Sequence, residues 1–400
     1  MDPMNGYQLP AELVALRDQV GKIIRDEIIP IEARIDPDAP EIPEDDYWRI
    51  ARKAQSAGMW CMGAPQEYGG GGLSTFEMTV LTEEMAQHRM GLYNPGAGVF
   101  GRTPPPVIWA GTPKQKQEYA GGTIRNAWYT FFAITEPAGG SDPAGAIQCR
   151  AVRQGDHYRL NGTKIFISHA HEAEWGVVFA RTDPKAGRQG VTCFIIKKGQ
   201  AGFTPRPIRT IRTSAIPNEV AFEDCMIPVE QRLGEEGQGL NLCLDLLARL
   251  RFPYSACNVG VGVAALRMAI AHAKQRSTFG ELLARRQAIQ WMLADSEVEL
   301  RAARWLTWDG AWKADRHEDF RTEASIAKLY SSEVLGKVVD RAVQIHGGYG
   351  VSKELPLERW YREARVRRIG EGPSEVHRMV IARTLLRRAT HQEGKRKERN

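Results

Sequence analysis

The hydrophobic pattern of this 400-residue chain changes period twice, and that order restricts the folds open to it. Apolar residues first recur near helical spacing, at Val14, Leu16, Val20, Ile23 and Ile24. Pro43 precedes an acidic first turn, Glu44, Asp45 and Asp46, which predicts a helix running to about Gly58. Four glycines, Gly69 to Gly72, break the chain, and Ser74 opens another helix through Met85. Thr112 and Gln115 have capping-box spacing, with Pro113 at the first helical position. Near residue 126 the period shortens. NAWYTFFAITE, AIQCRAVRQ, YRLNG, KIFIS, WGVVFART, VTCFIIKK and EVAFEDCMIP are short and flanked by Gly, Pro, Asp or Asn, which predicts strands. Gly155-Asp156 and Asn161-Gly162 read as hairpin turns. The β region ends near Gly234. Long helical stretches then return over 240–275, 286–314, 322–345 and 374–389, with short links that suit an antiparallel bundle.

Charge is unevenly placed. The chain is +6 overall with a pI of about 9.0, which would suit polyanion partners if it were general. Residues 351–400 hold 14 Lys/Arg against 7 Asp/Glu, so this segment carries the excess and the remainder is close to neutral. The closing GKRKERN reads as a solvated basic tail. No run approaches the ~18–20 consecutive apolar residues of a membrane span, and the N-terminus has neither signal- nor transit-peptide character. Six cysteines, at 61, 149, 193, 225, 243 and 257, form no CxxC pair, which predicts free core thiols in a reducing cytoplasm. His169 and His171 share no spacing with carboxylate or cysteine, so no metal site is expected.

Five segments carry residue types suited to ligand chemistry. FFAITEPAGGSDPAG, 131–145, ends a strand in a Gly/Pro-rich loop that either simply exits the sheet or places Thr135 and Ser141 on a ligand. NGTKIFISHA, 161–170, has the same two readings. QRSTFGELLARRQAIQ, 275–290, offers Arg276, whose planar fork matches phosphate, although a solvated arginine is as good a reading. In QIHGGYG, 344–350, Gly347 and Gly348 either cap a helix or let backbone approach a ligand closely. In RRIGEGPSEVHRMVIAR, 367–383, Glu371 sits between two glycines before a helix opened by Ser374. It is either a loop carboxylate favoured by the helix dipole or a general base approached by a flat substrate.

The joint order of these segments, with GMWCMGAPQEYGGGGLS upstream, resembles the acyl-CoA dehydrogenase family over roughly residues 11–390. The resemblance implies an α+β multidomain chain. An N-terminal α-helical domain would span 1–125, a middle β domain (sandwich or barrel) 126–236 and a C-terminal four-helix bundle 237–390, with the basic tail at 391–400. It also implies FAD, an acyl-CoA thioester substrate, a homotetramer built as a dimer of dimers, and electron-transfer flavoprotein as electron acceptor, with no membrane or nucleic-acid partner. Phe132, Ile134 and Thr135 match positions lining the flavin, and Ser141 the junction of flavin and pantetheine. Phe166, Ile167 and Ser168 match the stretch beside the isoalloxazine, with Phe166 replacing the usual tryptophan. Arg276, Thr278 and Phe279 match residues that grip the pyrophosphate and adenosine of a partner's FAD, and Gln287, Gln344, Gly347 and Gly348 its remaining contacts. Arg251 matches an arginine beside the thioester and base.

Glu371 matches the catalytic base, and Gly372, Ser374 and Glu375 follow it as substrate- and cofactor-side positions. Pro373 replaces a threonine that would touch FAD, and Gly370 stands where tyrosine is common. Other family members place the base beside the arginine matched by Arg251, but that position is Leu250 and residues 246–280 contain no Asp or Glu. The implied reaction is α,β-dehydrogenation to trans-2-enoyl-CoA: Glu371 takes the α-proton and the β-hydride passes to flavin N5. The thioester carbonyl would be held by the Glu371 backbone N–H and a ribityl hydroxyl. Competing readings on the same fold are an acyl-CoA oxidase, a desulfinase, a nitroalkane oxidase and a DNA-binding alkylation-response protein.

Overall fold

The computed structural model describes residues 8–397. Its main helices, in chain order, are α1 (Ala11–Ile23), α2 (Glu44–Ser56), α3 (Thr75–Met85), α4 (Gly239–Gln275), α5 (Gln287–Asp315), α6 (Arg321–His346), α7 (Leu357–Arg367) and α8 (Ser374–Lys397). The chain divides into two compact units. One holds residues up to Ile50, Ser74–Ala97 and everything from Arg249 onward; the other holds Ala51–Leu73 and Gly98–Ala248.

The first unit is helical. Its core joins Ala86 and Leu92 to the apolar faces of α4, α5, α6 and α7, through residues such as Val261, Leu300, Leu335 and Trp360. Ser74 and Glu77 form a reciprocal capping box at the start of α3, and the next two amides, of Thr75 and Phe76, donate to Asp315 at the far end of α5 (2.9 and 2.8 Å). All four amides from Ser74 to Glu77 at this helix start are thus satisfied by side chains. Helix α4 continues through Pro253. It is long and apolar enough to cross a bilayer, yet 67% of its most apolar window is buried within the chain, as in a core helix.

The second unit carries an eight-stranded sheet: β1 (Thr130–Ala133), β2 (Arg150–Gln154), β3 (His157–Ser168), β4 (Trp175–Arg181), β5 (Val191–Lys197), β6 (Phe203–Pro207), β7 (Pro217–Pro228) and β8 (Arg232–Leu233). The order is β6-β7-β3-β2-β4-β5-β8, with β1 parallel against β4. Strands β4 and β5 are buried on both faces, as their unbroken apolar runs require. Val178, Ala180, Phe194 and Ile196 face one core with Phe131, Tyr158 and Phe222. Val177, Phe179, Cys193 and Ile195 face another, closed by Val107, Ile108, Tyr119 and Leu240.

Asn161-Gly162 is not a turn. It lies inside β3, where Gly162 has φ +142° and the pairing with β7 shifts register between Leu160 and Gly162. The Asn161 side chain accepts from the Asp224 amide (2.8 Å) and donates to its carboxylate (3.0 Å), which ties the bulge across the two strands. A Cβ at Gly162 would stand 2.7 Å from the Cys149 Cα, so glycine is there for close approach. Gly155-Asp156 does turn β2 into β3. All six cysteines are free and buried. The basic tail expected at 391–400 overlaps the end of α8, and residues 398–400 lie outside the described residues.

Candidate functional site

In the second unit, the chain leaving β1 runs beside β3. The Ile165 amide donates to the Thr135 carbonyl (2.9 Å). Beneath it lies a buried lysine, Lys164, whose Nζ donates to the Ile134 carbonyl (3.0 Å) and to Glu136 Oε1 (2.8 Å). Glu136 in turn accepts the amides of Gln148 and Cys149 (2.7 and 3.0 Å). Burial pushes the Lys164 pKa below its usual value, while Glu136 holds the charge in place.

A second register shift on β3, between Lys164 and Ile167, leaves Phe166 at φ +60° and turns its ring outward, 59% exposed. A bulge that re-aims one side chain in this way costs local pairing and strain. Phe132, Ile134 and Thr135 are half-buried beside this strand, and Ser141 is exposed on the following loop. Ile167 is an exception: its side chain is buried in the sheet core, and its carbonyl accepts from the Asn218 side chain (3.0 Å). The Ser168 hydroxyl accepts from Arg212 (3.2 Å).

In the first unit, Arg276, Thr278, Gln344, Gly347 and Gly348 converge on one cavity of about 560 Å³, together with His272, His346 and Tyr349. His346 donates through Nδ1 to the Ala342 carbonyl (2.8 Å) and stacks on His272 with ring centroids 4.4 Å apart. Burial, His346 and Arg276 all lower the His272 pKa. Gly347 ends α6 at φ +59°, so the helix-cap reading holds. The ligand-approach reading holds with it, because a Cβ at Gly347 or Gly348 would meet nothing within 4 Å. Phe279 and Gln287 do not line this cavity. Phe279 projects fully exposed from a two-strand hairpin (Ser277–Thr278 with Glu281–Leu282), and Gln287 is exposed at the start of α5.

The residues around Glu371 form a separate cluster of the first unit. Glu371 and Gly372 are both left-handed, at φ +57° and +91°. Two buried side chains meet their carbonyls. His377 Nε2 lies 3.1 Å from the Glu371 oxygen, and Lys328 Nζ donates to the Gly372 oxygen at 2.6 Å. Burial, with the positive charges of Arg251 and Lys328, drives the His377 pKa down to about 3. Burial, Arg367 and Arg251 lower that of Lys328 to about 8, against the opposing pull of Glu371 and Glu333. Arg251 therefore lies within electrostatic reach of the cluster. The Ser374 hydroxyl donates to Glu333 (2.7 Å), and Glu375 is exposed. A Cβ on Gly370 would meet the Tyr254 hydroxyl at 3.4 Å, the nearest neighbour in a space a larger residue would fill.

Sequence reasoning passed over Lys164, Lys328 and the His377 ring. Lys328 had a readable sign: it falls on the buried stripe of α6 with Ala324, Ala327, Ser331 and Leu335, where a lone cation needs a partner.

An outward aromatic on a bulged strand, a glycine-floored cavity beside an arginine, and a carboxylate between glycines each suit ligand chemistry. The comparisons make this specific. The N-terminal, middle and C-terminal domain families of acyl-CoA dehydrogenase match residues 10–126, 131–225 and 237–386. The chain belongs to the acyl-CoA dehydrogenase family. It is similar to acryloyl-CoA reductase (NADH) of Anaerotignum propionicum, 35% identical over 89% of this chain and 92% of that one. Butyryl-CoA dehydrogenase of Megasphaera elsdenii matches with a TM-score of 0.85 and 30% identity, over 95% and 99% of the two chains. A chain solved in work on the electron transferring flavoprotein of Acidaminococcus fermentans matches at 0.84 and 31%, over the same shares. The protein is accordingly an FAD-dependent oxidoreductase of acyl-CoA thioesters, with helical N- and C-terminal regions and a middle β domain in sequence order.

The residues present fit FAD. The open floor at Gly347 and Gly348 beside Arg276 suits a phosphate-bearing group, and the exposed Phe166 ring offers an aromatic face to a flat one.

Proposed function

We propose that this chain dehydrogenates a short-chain acyl-CoA to the trans-2-enoyl-CoA, with Glu371 as the base that removes the α-proton. The single observation that carries the assignment is the exposed Glu371 carboxylate on a left-handed turn between Gly370 and Gly372. Bound FAD supplies the acceptor for the hydride that leaves the β-carbon. The protein's part is to orient, desolvate and move the proton. An acyl chain packed over the carboxylate excludes water and raises its basicity. The Glu371 backbone N–H donates to the thioester carbonyl as enolate charge develops, the kind of contact worth ~3–4 kcal/mol in comparable oxyanion sites.

Phe132, Ile134, Thr135, Phe166, the Ile167 backbone and Ser168 would hold the flavin. Ser141 would sit between it and the thioester, and Ser374 and Glu375 would stand on the cofactor side of the base. Arg276, Thr278, Phe279, Gln287, Gln344, Gly347 and Gly348 would bind the pyrophosphate and adenosine of a neighbouring chain's FAD in a homotetramer. The Phe279 ring, 99% exposed among the described residues, supports such a neighbour. We assign three domains at 1–125, 126–236 and 237–390, an electron-transfer flavoprotein as acceptor, and a cytoplasmic setting that suits six free thiols.

The short-chain assignment leans on relatives named for three- and four-carbon acyl groups. One is named a reductase, and the same residues would serve the reverse direction, with protonated Glu371 returning the proton to the α-carbon. Anaerobic mixing of holoenzyme with butyryl-CoA tests the assignment. Wild type bleaches its flavin, and Glu371→Gln retains FAD but bleaches at least ~10²–10⁴ times more slowly. Bleaching of Glu371→Gln at the wild-type rate would overturn it.

A further inference from the structure

Two consecutive left-handed residues, one of them a glutamate, do not persist without support. A non-glycine residue at φ +57° is strained by roughly 1–2 kcal/mol, and a proton-transfer group misplaced by about 1 Å loses rate by about 10²-fold. The local chain offers little help. Pro373 has no N–H to give, and Glu371 projects into solvent from a turn of Gly, Glu and Gly.

The support comes from two helices. Lys328 on α6 is fully buried, and its ammonium reaches the Gly372 carbonyl at 2.6 Å. His377, on the first turns of α8 and 1% exposed, reaches the Glu371 carbonyl with Nε2 at 3.1 Å. The His377 Nδ1 atom is buried with no hydrogen-bond partner among the described residues. That fixes the ring chemistry. A carbonyl at Nε2 requires a proton there, and the pocket gives Nδ1 nothing to donate to, so the ring is the neutral Nε2–H tautomer. The strongly lowered His377 pKa agrees with this. Each carbonyl of the left-handed pair therefore receives one donor from a buried side chain, and the two donors come from different helices.

We infer that Lys328 and His377 are positioning residues for Glu371: by donating to the carbonyls of residues 371 and 372 they hold both in the left-handed conformation that presents the carboxylate and its backbone N–H. The inference rests on Glu371 being the base. It assigns Lys328 no contact with substrate.

The test measures the rate constant for anaerobic flavin bleaching by saturating butyryl-CoA, per bound FAD, in the holoenzyme. Lys328→Met and His377→Leu are each expected to slow bleaching ~30–100-fold, while FAD content and the half-saturating butyryl-CoA concentration change less than about threefold. His377→Gln, whose amide can donate from the same place, is expected to recover the rate to within about tenfold. A general packing role would not separate Gln from Leu in this way. Glu371→Gln is measured alongside. If it is inactive while Lys328→Met and His377→Leu bleach at the wild-type rate per bound FAD, the positioning roles are overturned and the base stands. If Glu371→Gln bleaches normally, the base is overturned and the positioning roles with it. Should Lys328→Met fold too poorly to load FAD, the His377→Leu and His377→Gln pair decides, and equal rates for the two overturn the proposal.

Discussion

Lys164 and Glu136 form an ion pair inside the β domain at 2.8 Å, with both side chains almost fully buried. The same ammonium also holds the Ile134 carbonyl, and the same carboxylate holds two amides, so one pair fixes the turn that carries Thr135. The pair is a hinge pin for the proposed flavin edge.

Removing one partner of this pair leaves the other charged and buried. Lys164→Met is expected to destabilise the protein by about 3–5 kcal/mol, as for other broken buried pairs. The double variant Lys164→Met/Glu136→Gln is expected to lose less than the sum of the single variants. Urea unfolding of the three variants checks this, and additivity would show that the two groups do not act as a unit.

His377 makes stability depend on pH in a defined window. Its folded pKa, about 3, lies below the ordinary value near 6.5. Between these values the unfolded chain binds the proton and the folded one does not. The contribution is therefore fully present above pH 6.5 and is lost as pH falls toward 3, at up to about 1.4 kcal/mol per pH unit. Comparing urea unfolding at pH 7 and pH 5, wild type should lose more stability than His377→Gln, by about 1–2 kcal/mol. Equal losses would contradict a neutral, buried ring.

Gly348 separates a helix cap from a cofactor floor. A Cβ there meets nothing within 4 Å, and Gly347, not Gly348, carries the left-handed φ. Gly348→Leu should therefore leave apoprotein stability within about 0.5 kcal/mol while filling the cavity beside Arg276. Purified Gly348→Leu is expected to retain less than about a tenth of the wild-type FAD, a loss that thermal unfolding of the apoprotein should not mirror. Full FAD content would remove this cavity from the cofactor site.

Helix starts and buried strands were the most legible parts of the chain. Ser74 and Glu77, and Thr112 and Gln115, act locally, so their capping boxes needed no tertiary information. The apolar run of β4 announced a strand, and the structure buries it on both faces. Helix α7 was illegible because its inward positions carry charge. Arg359, Glu363 and Arg367 are all buried, satisfied by one another and by distant carbonyls such as those of Pro37, Ala39 and Leu92. Leu357, Trp360 and Ala364 do keep helical spacing on the buried side, but the charged residues between them mask so short a period. Asn161-Gly162 misled for a related reason. The dipeptide permits a turn, but pairing with β7 on either side of it makes it a bulge. The carboxylate between glycines was visible in one line of sequence. Its two props were not, because Lys328 lies 43 residues away and His377 acts through a carbonyl.

The six buried cysteines give the folded protein an unusual chemical silence. Burial pushes the thiols of Cys61 and Cys149 up to about 12 and that of Cys225 to about 11, so thiolate, the form that reacts, is scarce at neutral pH. Five of the six lie in the β-domain unit and Cys257 lies in the helical one. Any labelling by a thiol reagent under native conditions then records a local opening. Mapping which cysteine reacts would turn an inert set of core residues into a clock for the separate breathing of each unit.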